Sequence, residues 1–539
     1  MHTAKQHTWQ ALEALSTATP TLTELFATNA KRGQEYTISA CQMYLDFSKQ
    51  LIDEQVLQHL LQLAYDCALP QAITALLGGE MVNDTENRPA LHTALRAPKG
   101  ASLMLQGRDI NVDIHQSLEK LQGIAERLRA KTWRGYSGKA ITDVVNIGVG
   151  GSDLGPLLAT TALAEWSDTD ICVHFVSNMD GTQLGTLLKV LNPATTVFII
   201  SSKSFSTLDT LSNAKTALAW LLNTGADKAS ILRRHFIAIS TRSDKMSDWG
   251  IHPENQLCLW DWVGGRFSLW SAIGLVVAIK IGTARFYELL AGAHAMDRHF
   301  AHADFADNLP VMLALIGVWN STFLQINAHS VLPYDGRLAA FPDYLTQLEM
   351  ESNGKSVGRD GKPLNFATCP ILWGDIGSNA QHAFYQLLHQ GTERVSCDFI
   401  APIRRYDSRQ TSNETLSDQH RWTLANCLAQ SQVLAFGNQA LGKVEGTDNL
   451  AHFKHYRGNQ PSSTLLLEAL TPNSLGALIA LYEHKVYVMS VIWGINPFDQ
   501  WGVEVGKVMA QSVYEALNGL PANFDSSTNA LLTHIRQQS

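Results

Sequence analysis

The sequence predicts an α/β fold with two subdomains, each built on a largely parallel sheet with helices on both faces. From about residue 140, short β-branched runs alternate with longer amphipathic segments, which is typical of βαβ units. A second series of the same kind follows after about residue 310. With 539 residues, of which 45% are hydrophobic and 17% charged, the chain has enough apolar material for large buried cores.

The N-terminal hundred residues are predicted to be helical, because Trp9, Leu12 and Leu15, and later Val56 and Leu60, follow helical spacing. In the first α/β series, one apolar stripe of leucines predicts a helix over 207–222. The strands of this series are expected at Asp143–Val149, Ile171–Ser177, Thr196–Ser201 and His235–Ser240.

The second series contains two predicted helices. Val311–Leu324 has the composition of a buried helix, and Leu475–Trp493 is long, apolar and followed by Gly494, which favours its end there. The polar residues 404–419 indicate a long surface loop. Strands are expected near Cys369–Trp373, Ser396–Ile400, Gln432–Phe436 and Ser463–Leu467.

The charge balance excludes several kinds of partner. Lysine and arginine number 41 against 49 aspartate and glutamate, for a formal charge of -8, and no long basic run occurs. We therefore expect neither nucleic acid nor an anionic membrane surface as a partner. A phosphate group, if bound, needs a local device such as backbone N–H groups and hydroxyls.

Cysteine usage and the chain start favour a soluble cytoplasmic protein. The seven cysteines are scattered without any CxxC spacing, which indicates free thiols in a reducing compartment. The polar first ten residues lack the apolar region of a signal peptide. The most apolar stretch, Phe267–Ile279, is too short for a membrane span of about 20 residues.

A glycine motif follows the first predicted strand. Gly148, Gly150 and Gly151 allow the backbone to approach a ligand closely and to present N–H groups, with Ser152 beside them. A dinucleotide-binding fingerprint would need a third glycine where Asp153 stands, and no P-loop lysine follows. The motif favours an anion or sugar site, with a structural turn as the alternative.

A cluster of hydroxyl side chains marks the junction after the strand that ends at Ser201. Ser202, Ser204, Thr207 and Thr210 surround Lys203, with both threonines expected in the first helical turn. Hydroxyls together with free N–H groups at a helix start form a neutral cradle for a phosphate monoester. N-capping alone is the alternative.

Two further segments carry groups suited to acid–base chemistry. Arg266 follows two glycines and offers a fork of donors to a developing oxyanion, although a salt-bridged arginine is the ordinary alternative. Glu349 and Glu351 are both candidates for a general base, although surface glutamates are common.

Histidine and lysine candidates complete the set. His382 is expected just inside a helix start, where the helix dipole disfavours the imidazolium, with His389 as the alternative. Lys507 is a possible proton donor or electrostatic partner, or a plain surface lysine. No HExxH motif or cysteine pair is present, so neither a metal nor a redox cofactor is expected.

Taken together, these segments resemble the glucose-6-phosphate isomerase (phosphoglucose isomerase) family. The resemblance implies two sugar-isomerase-type α/β/α subdomains, a helical N-terminal portion and a C-terminal helical arm. We place the boundaries at 1–104, 105–285, 286–507 and 508–539. Six segments carry the resemblance in family order: Glu86–Arg96, Ile147–Pro156, Asp261–Gly274, Met350–Lys355, Ser378–Gly391 and Ser490–Lys507.

The resemblance also implies an activity, the reversible conversion of glucose 6-phosphate to fructose 6-phosphate through ring opening and a cis-enediol. It implies that Glu351 carries the proton between C1 and C2, that Arg266 stabilises the enediolate, and that His382 and Lys507 assist ring opening. It further implies a homodimer in which His382 reaches the neighbouring subunit's site, and no cofactor. The implied substrate-binding residues are Gly151, Ser152, Ser202, Lys203, Ser204, Thr207, Thr210, Gln347 and Gln500.

One segment departs from the family pattern. The family commonly shows Ser-Lys-Thr-Phe-Thr-Thr-x-Glu-Thr, whereas residues 202–210 here replace two threonines by serine and the glutamate by aspartate. Each change keeps the hydroxyl or the carboxylate, so phosphate binding is expected to survive. The alternatives to an isomerase are a non-catalytic sugar-phosphate regulator, an amide-transferring ketose-phosphate isomerase and a structural protein. The first would usually carry a DNA-binding module, and the second needs a glutaminase domain with an N-terminal cysteine.

Overall fold

The computed structural model describes residues 3–406, 414–441 and 452–538. The chain divides into two compact units, Met1–Pro497 and Phe498–Ser539. The strands are β1 (Thr37–Ala40), β2 (Met43–Asp46), β3 (Met104–Leu105), β4 (Arg108–Asp109), β5 (Asp143–Ile147), β6 (Cys172–Val176), β7 (Thr196–Ser201), β8 (Phe236–Ser240), β9 (Gln256–Cys258), β10 (Ala328–Pro333), β11 (Ile371–Gly374), β12 (Ser396–Arg404) and β13 (Ser462–Ala469).

Helices connect and cover these strands. They are α1 (Thr3–Ser16), α2 (Leu22–Thr28), α3 (Arg32–Glu35), α4 (Glu54–Asp66), α5 (Leu69–Gly78), α6 (Ile110–Arg129), α7 (Leu154–Ala162), α8 (Thr182–Leu188), α9 (Leu208–Leu222), α10 (Lys228–His235), α11 (Ser243–Trp249), α12 (Leu275–Ile281), α13 (Thr283–His302), α14 (Leu309–Val318), α15 (Phe341–Leu345), α16 (Gly377–Ala383), α17 (Tyr385–Gln390), α18 (Glu414–Phe436), α19 (Pro472–Trp493), α20 (Glu504–Leu517) and α21 (Ser526–Gln538).

The first sheet is parallel throughout, with strand order β6-β5-β7-β8-β9. Residues of β7 and β8 are buried along their whole length, as expected for strands covered on both faces. One face packs against α9, α10 and α11 through residues such as Phe198, Leu221, Ile231 and Met246. The strand order reverses between β5 and β7, whose carboxyl ends therefore open a crevice suited to ligands.

The second sheet has strand order β1-β2-β13-β12-β10-β11. Its four strands β10 to β13 are parallel, and the hairpin β1–β2 adds to the edge of β13 in the antiparallel sense. The N-terminal region is therefore not helical throughout. The two turn residues of this hairpin, Cys41 and Gln42, have φ of 50° and 61°, the left-handed conformation that a tight two-residue hairpin turn requires.

Two predictions in the second series are wrong. Gln432–Phe436 is the end of α18 and not a strand, because Cys427, Ser431 and Leu434 follow helical spacing on one buried face. Residues 404–419 are not one long loop, since Arg404 ends β12 and α18 begins at Glu414, while residues 407–413 lie outside the described ranges.

The long apolar helix is confirmed as α19 and lies in the core. In the described part of the chain, α19 is the one unbroken helix that is long and apolar enough to cross a membrane. Of its most apolar segment, 94% is buried inside the protein. Thr471 caps its start and Gly494, with φ of 70°, ends it. It packs along α13 and α14. The predicted subdomain boundaries at 104, 285 and 507 stay predictions.

Candidate active site

The crevice at the carboxyl ends of β5 and β7 is formed by two loops. The glycine loop, residues 148–152, follows β5, and the Ser/Thr loop, residues 202–207, follows β7. Because Ile147 pairs with Ile200, both loops leave the sheet at the same edge. The parallel register thus brings together two motifs that lie about fifty residues apart in the sequence.

Asn146 links the glycine loop to the last residue of β7. Its side-chain Nδ2 donates to the carbonyl of Ser152 at 3.0 Å, and its Oδ1 accepts from Ser201 Oγ at 3.1 Å. The residue is buried between two apolar neighbours, Val145 and Ile147. The sequence did not single it out, although a polar residue between apolar strand residues was a visible signal.

The glycine loop touches a third segment, the arginine loop, residues 261–266. A Cβ atom at Gly151 would lie 2.0 Å from the carbonyl oxygen of Gly265 and 2.6 Å from the nitrogen of Arg266. Gly150 has φ of 58°, and a Cβ there would lie 2.8 Å from Gln347 Nε2. Glycine is therefore required at both positions, which lets the loop pack against the segment that carries Arg266.

Arg266 is buried and its guanidinium is held on three sides. Its Nη1 donates to Glu351 Oε1 at 2.9 Å, its Nε donates to Ser352 Oγ at 2.6 Å, and its Nη2 donates to the carbonyl of Pro497. This fixes the plane of the fork with Nη1 on the side of Glu351. Ser352 was not singled out from the sequence, because a lone serine after a glutamate carries no distinctive signal.

Glu351 lies at the end of a π-helical segment, Thr346–Glu351, a conformation that is often found at functional sites. Its Oε2 accepts a hydrogen bond from Gln347 Nε2 at 2.9 Å, so both carboxylate oxygens are held. The side chain is 26% exposed, against 1% for Arg266. Lys355 Nζ donates to the backbone carbonyls of Glu351 and Ser352, at the end of this π-helical segment.

Glu349, the other candidate base, has a different environment. Its Oε2 forms an ion pair with Lys485 Nζ at 2.9 Å, and both side chains are almost fully buried. A buried, paired carboxylate has no path to a substrate. Of the two glutamates, Glu351 is the one placed beside the arginine and accessible to solvent.

The Ser/Thr loop presents hydroxyls and unused backbone donors. Ser202 Oγ and Thr207 Oγ1 lie 3.1 Å apart, and Ser206 Oγ donates to Ser204 Oγ at 2.8 Å. In the described ranges, no hydrogen bond uses the backbone N–H groups of residues 203, 204, 206 and 207. Phe205 turns the loop with φ of 47°, a left-handed conformation that is costly for a bulky residue and recurs at ligand clamps.

The N-capping alternative for this loop is not what the structure has. Thr207 occupies the N-cap position of α9, but its hydroxyl makes no capping bond. Thr210 is buried in the first turn, and its hydroxyl has no partner within the described residues. The same holds for Gln347 Oε1 and Asp153 Oδ1, and unsatisfied buried polar atoms of this kind call for a bound ligand or water.

Two charged groups at the crevice have altered pKa values. Burial raises the pKa of Asp153, directly after the glycine loop, to about 6. Burial, and next the positive charge of Arg88, lower the pKa of Lys203 to about 8. The Lys203 ammonium donates to the carbonyls of Asp261 and Val263, so its side chain is bonded to the arginine loop.

Three further predicted residues lie in other segments of the chain. His382 is exposed and lies on α16. Its predicted location at a helix start is wrong, because α16 already begins at Gly377 and His382 lies in its last turn, so the dipole argument does not hold. Gln500 and Lys507 belong to the second unit, where Lys507 pairs with Glu504 at 2.9 Å on an exposed helix face.

Among the described residues, no group of three or more His, Cys, Asp or Glu is placed so that it could hold a metal.

A family model for phosphoglucose isomerase matches residues 46–532. This chain belongs to the phosphoglucose isomerase family. The family predicted from six motifs is thereby confirmed.

Curated relatives and solved structures agree with this family. The chain is 64% identical over 538 residues to glucose-6-phosphate isomerase of Psychrobacter cryohalolentis, covering 98% of this chain and 97% of the relative. It is 52% identical to the enzyme of the same name from Hydrogenovibrio crunogenus, with 98% of both chains covered. The crystal structure of a glucose-6-phosphate isomerase from Chlamydia trachomatis matches with a TM-score of 0.86 and 31% identity, covering 99% of each chain.

A more distant structure supports the fold alone. A hypothetical protein from Thermus thermophilus matches with a TM-score of 0.62 and 23% identity, covering 85% of this chain and 98% of its own. The predicted α/β architecture of sugar-isomerase type is confirmed for this phosphoglucose isomerase family member. The roles of individual site residues stay predictions.

Proposed function

We propose that the protein catalyses the reversible isomerisation of glucose 6-phosphate and fructose 6-phosphate. One observation in this phosphoglucose isomerase family member carries the proposal: the Glu351 carboxylate is held between Gln347 Nε2 and Arg266 Nη1, at 2.9 Å from each. A base that is oriented on both oxygens, with a cation beside it, is what proton transfer between adjacent carbons requires.

The proton transfer begins on the open-chain aldose. Glu351 takes the proton from C2, the C–H electrons form the C1–C2 double bond, and the carbonyl electrons move to O1 as an enediolate. Arg266 stabilises this negative charge, because its guanidinium is fixed before the reaction and needs no reorganisation. The hydroxyl proton of O2 moves to O1, the protonated Glu351 returns its proton to C1, and a carbonyl forms at C2. In total, one proton moves from C2 to C1 and one from O2 to O1, so the conversion needs neither an oxidant nor a metal.

Phosphate is assigned to the Ser/Thr loop and the glycine loop. The hydroxyls of Ser202, Ser204, Thr207 and Thr210, with Ser152, provide donors to phosphate or sugar oxygens, and the start of α9 adds its partial positive charge. Gly151 and Lys203 contribute backbone groups, and Gln347 and Gln500 sugar contacts. The free N–H groups of the Ser/Thr loop support this assignment, since an overall acidic protein needs such a neutral device.

Ring opening is assigned to His382 and Lys507, on the family resemblance alone.

We propose further that the protein is a cytoplasmic homodimer in which His382 completes the site of the partner. Its exposure on α16 supports a role toward a second molecule. The chain carries the base and the arginine of an isomerase, which a non-catalytic regulator does not need.

The experiment for the activity is a coupled assay of glucose 6-phosphate formation with Glu351→Gln. The amide retains hydrogen-bonding groups for Arg266 and Gln347 but cannot accept the proton, so kcat is expected to fall by about 10²–10⁴-fold. Calorimetry should show fructose 6-phosphate still binding. Glu468→Gln, at a glutamate exposed and paired with Arg404, is the matched control and should retain full turnover. Undiminished turnover by Glu351→Gln would remove Glu351 from this role.

The homodimer has its own test. Co-expressed Glu351→Gln and His382→Ala subunits should regain activity, because in a mixed dimer one of the two sites has both native residues, about a quarter of all sites after random assembly. Activity no higher than the sum of the single variants would contradict the shared site.

A further inference from the structure

The side chain of Lys203 crosses from the Ser/Thr loop to the arginine loop. Its ammonium donates to the carbonyl of Asp261 at 2.8 Å and to the carbonyl of Val263 at 2.7 Å. At its other end, the carbonyl of Lys203 accepts from Thr241 N at 3.1 Å and from Ser240 Oγ at 2.8 Å. Both ends of the residue are therefore fixed, one to the parallel sheet and one to the segment that leads to Arg266.

The arginine loop depends on anchors of this kind. Gly264 and Gly265 separate Val263 from Arg266, and glycines give a backbone more freedom than any other residue. Upstream of them, the carbonyl of Trp262 accepts from Leu91 N at 3.1 Å, while Lys203 holds the carbonyls on either side. Lys203 thus bonds the last carbonyl before the two glycines.

The Lys203 ammonium also lacks a carboxylate partner within ion-pair distance, as far as the described residues go. Two neutral carbonyls satisfy two of its three protons. A lysine that served as a phosphate ligand would be expected to reach toward the hydroxyls of its own loop, whereas this one bonds to the loop opposite.

We propose that the Lys203 side chain is a positioning group that ties the phosphate-binding loop to the arginine loop and so sets Arg266 against Glu351. This rests on the proposed function. The side chain acts through Arg266, and it contacts neither the phosphate nor the reacting carbons. Removal of the Lys203 side chain therefore weakens the stabilisation of the enediolate and leaves the binding of the sugar phosphate unchanged.

The test compares Lys203→Met with Lys245→Met. Methionine removes the donors but keeps the unbranched stem. Lys245 is the matched control, because its Nζ donates to the carbonyl of Ser204 in the same loop at 3.1 Å and has no bond to the arginine loop. We expect Lys203→Met to lower kcat by about 10–100-fold with KM for fructose 6-phosphate within about threefold, since misplacement of a catalytic group is costly. Lys245→Met should keep both constants.

Two inhibitors separate positioning from binding. Arabinitol 5-phosphate has the phosphate and hydroxyls without any enediolate-like group, and the hydroxamate of the corresponding aldonate 5-phosphate mimics the planar anion. Lys203→Met should lose affinity for the hydroxamate by the same factor as kcat and keep its affinity for arabinitol 5-phosphate. Lys203→Arg keeps hydrogen-bond donors at the position and should restore part of kcat. This variant tests the positioning role even if the methionine variant folds poorly.

Opposite outcomes overturn the proposal. Weaker binding of arabinitol 5-phosphate with unchanged kcat would make Lys203 a phosphate ligand, and unchanged constants in both variants would leave it without a role. Absence of turnover in the native protein is a different result and would contradict the proposed function instead.

Discussion

Gly151→Ala tests the contact between the glycine loop and the arginine loop. The new methyl group would lie 2.0 Å from the carbonyl oxygen of Gly265 and 2.1 Å from its carbonyl carbon. These are backbone atoms and cannot rotate aside, so the two loops must separate by more than about 1 Å to restore ordinary contact. Because Arg266 follows Gly265 directly, its guanidinium moves with the loop.

The expected cost follows from this displacement. A misplacement of about 1 Å costs roughly 100-fold in rate, equivalent to about 2.7 kcal/mol of transition-state stabilisation. Overpacking of this kind also lowers the free energy of unfolding by about 1–3 kcal/mol. We therefore expect kcat/KM for fructose 6-phosphate to fall about 100-fold in the coupled assay, while a cooperative thermal transition remains.

The control uses the same substitution where it meets no atom. Gly123 lies inside α6, and a Cβ there has nothing within 4 Å. Gly123→Ala should keep kcat/KM and gain up to about 1 kcal/mol of stability from better helix propensity. A Gly151→Ala variant within threefold of the native kcat/KM would refute the packing argument.

Other perturbations probe the charges and hydroxyls around the crevice. The pKa of Asp153 is raised to about 6, so the folded state binds more protons than the unfolded state between about pH 4 and pH 6, and stability falls as pH rises through that window. In urea unfolding, Asp153→Asn should therefore raise the free energy of unfolding by up to about 3 kcal/mol near pH 8 and leave it unchanged near pH 4. An equal increase at both pH values would contradict this. Ser204→Ala combined with Thr207→Ala should raise KM for the sugar phosphate at similar kcat, and an unchanged KM would place the phosphate elsewhere. Glu349→Gln leaves the Lys485 charge buried without its partner and should cost about 3–5 kcal/mol of stability by thermal unfolding, whereas a loss under 1 kcal/mol would show that the pair is dispensable.

Much of the fold was predictable because local patterns and tertiary burial agree. The runs that became β7 and β8 are apolar on both faces, so strand propensity and burial give the same answer. The hairpin β1–β2 was missed because its turn residues, Cys41 and Gln42, carry none of the usual signals for a left-handed turn. Gln432–Phe436 was mistaken for a strand, since a short apolar run has no periodicity that separates strand from helix.

The site was predictable as motifs but not as contacts. The glycine loop, the hydroxyl cluster and Glu351 each have a local chemical signature. Three contacts depend on which segments become neighbours: Gln347 holds the carboxylate, Asn146 links the glycine loop to β7, and Lys203 reaches the opposite loop. Those pairings span from four to more than fifty residues, and only the parallel register and the π-helical turn bring them together.

Transfer of deuterium from C2 of labelled glucose 6-phosphate reports on the carboxylate itself. Glu351 is oriented on both oxygens yet 26% exposed, so its captured proton exchanges with water in competition with its return to the sugar. We expect the label to divide between C1 of fructose 6-phosphate and solvent, and both fractions to vanish in Glu351→Gln. Complete retention of the label at C1 would contradict its exchange with water, and transfer or exchange that survives in Glu351→Gln would contradict proton transfer by this residue.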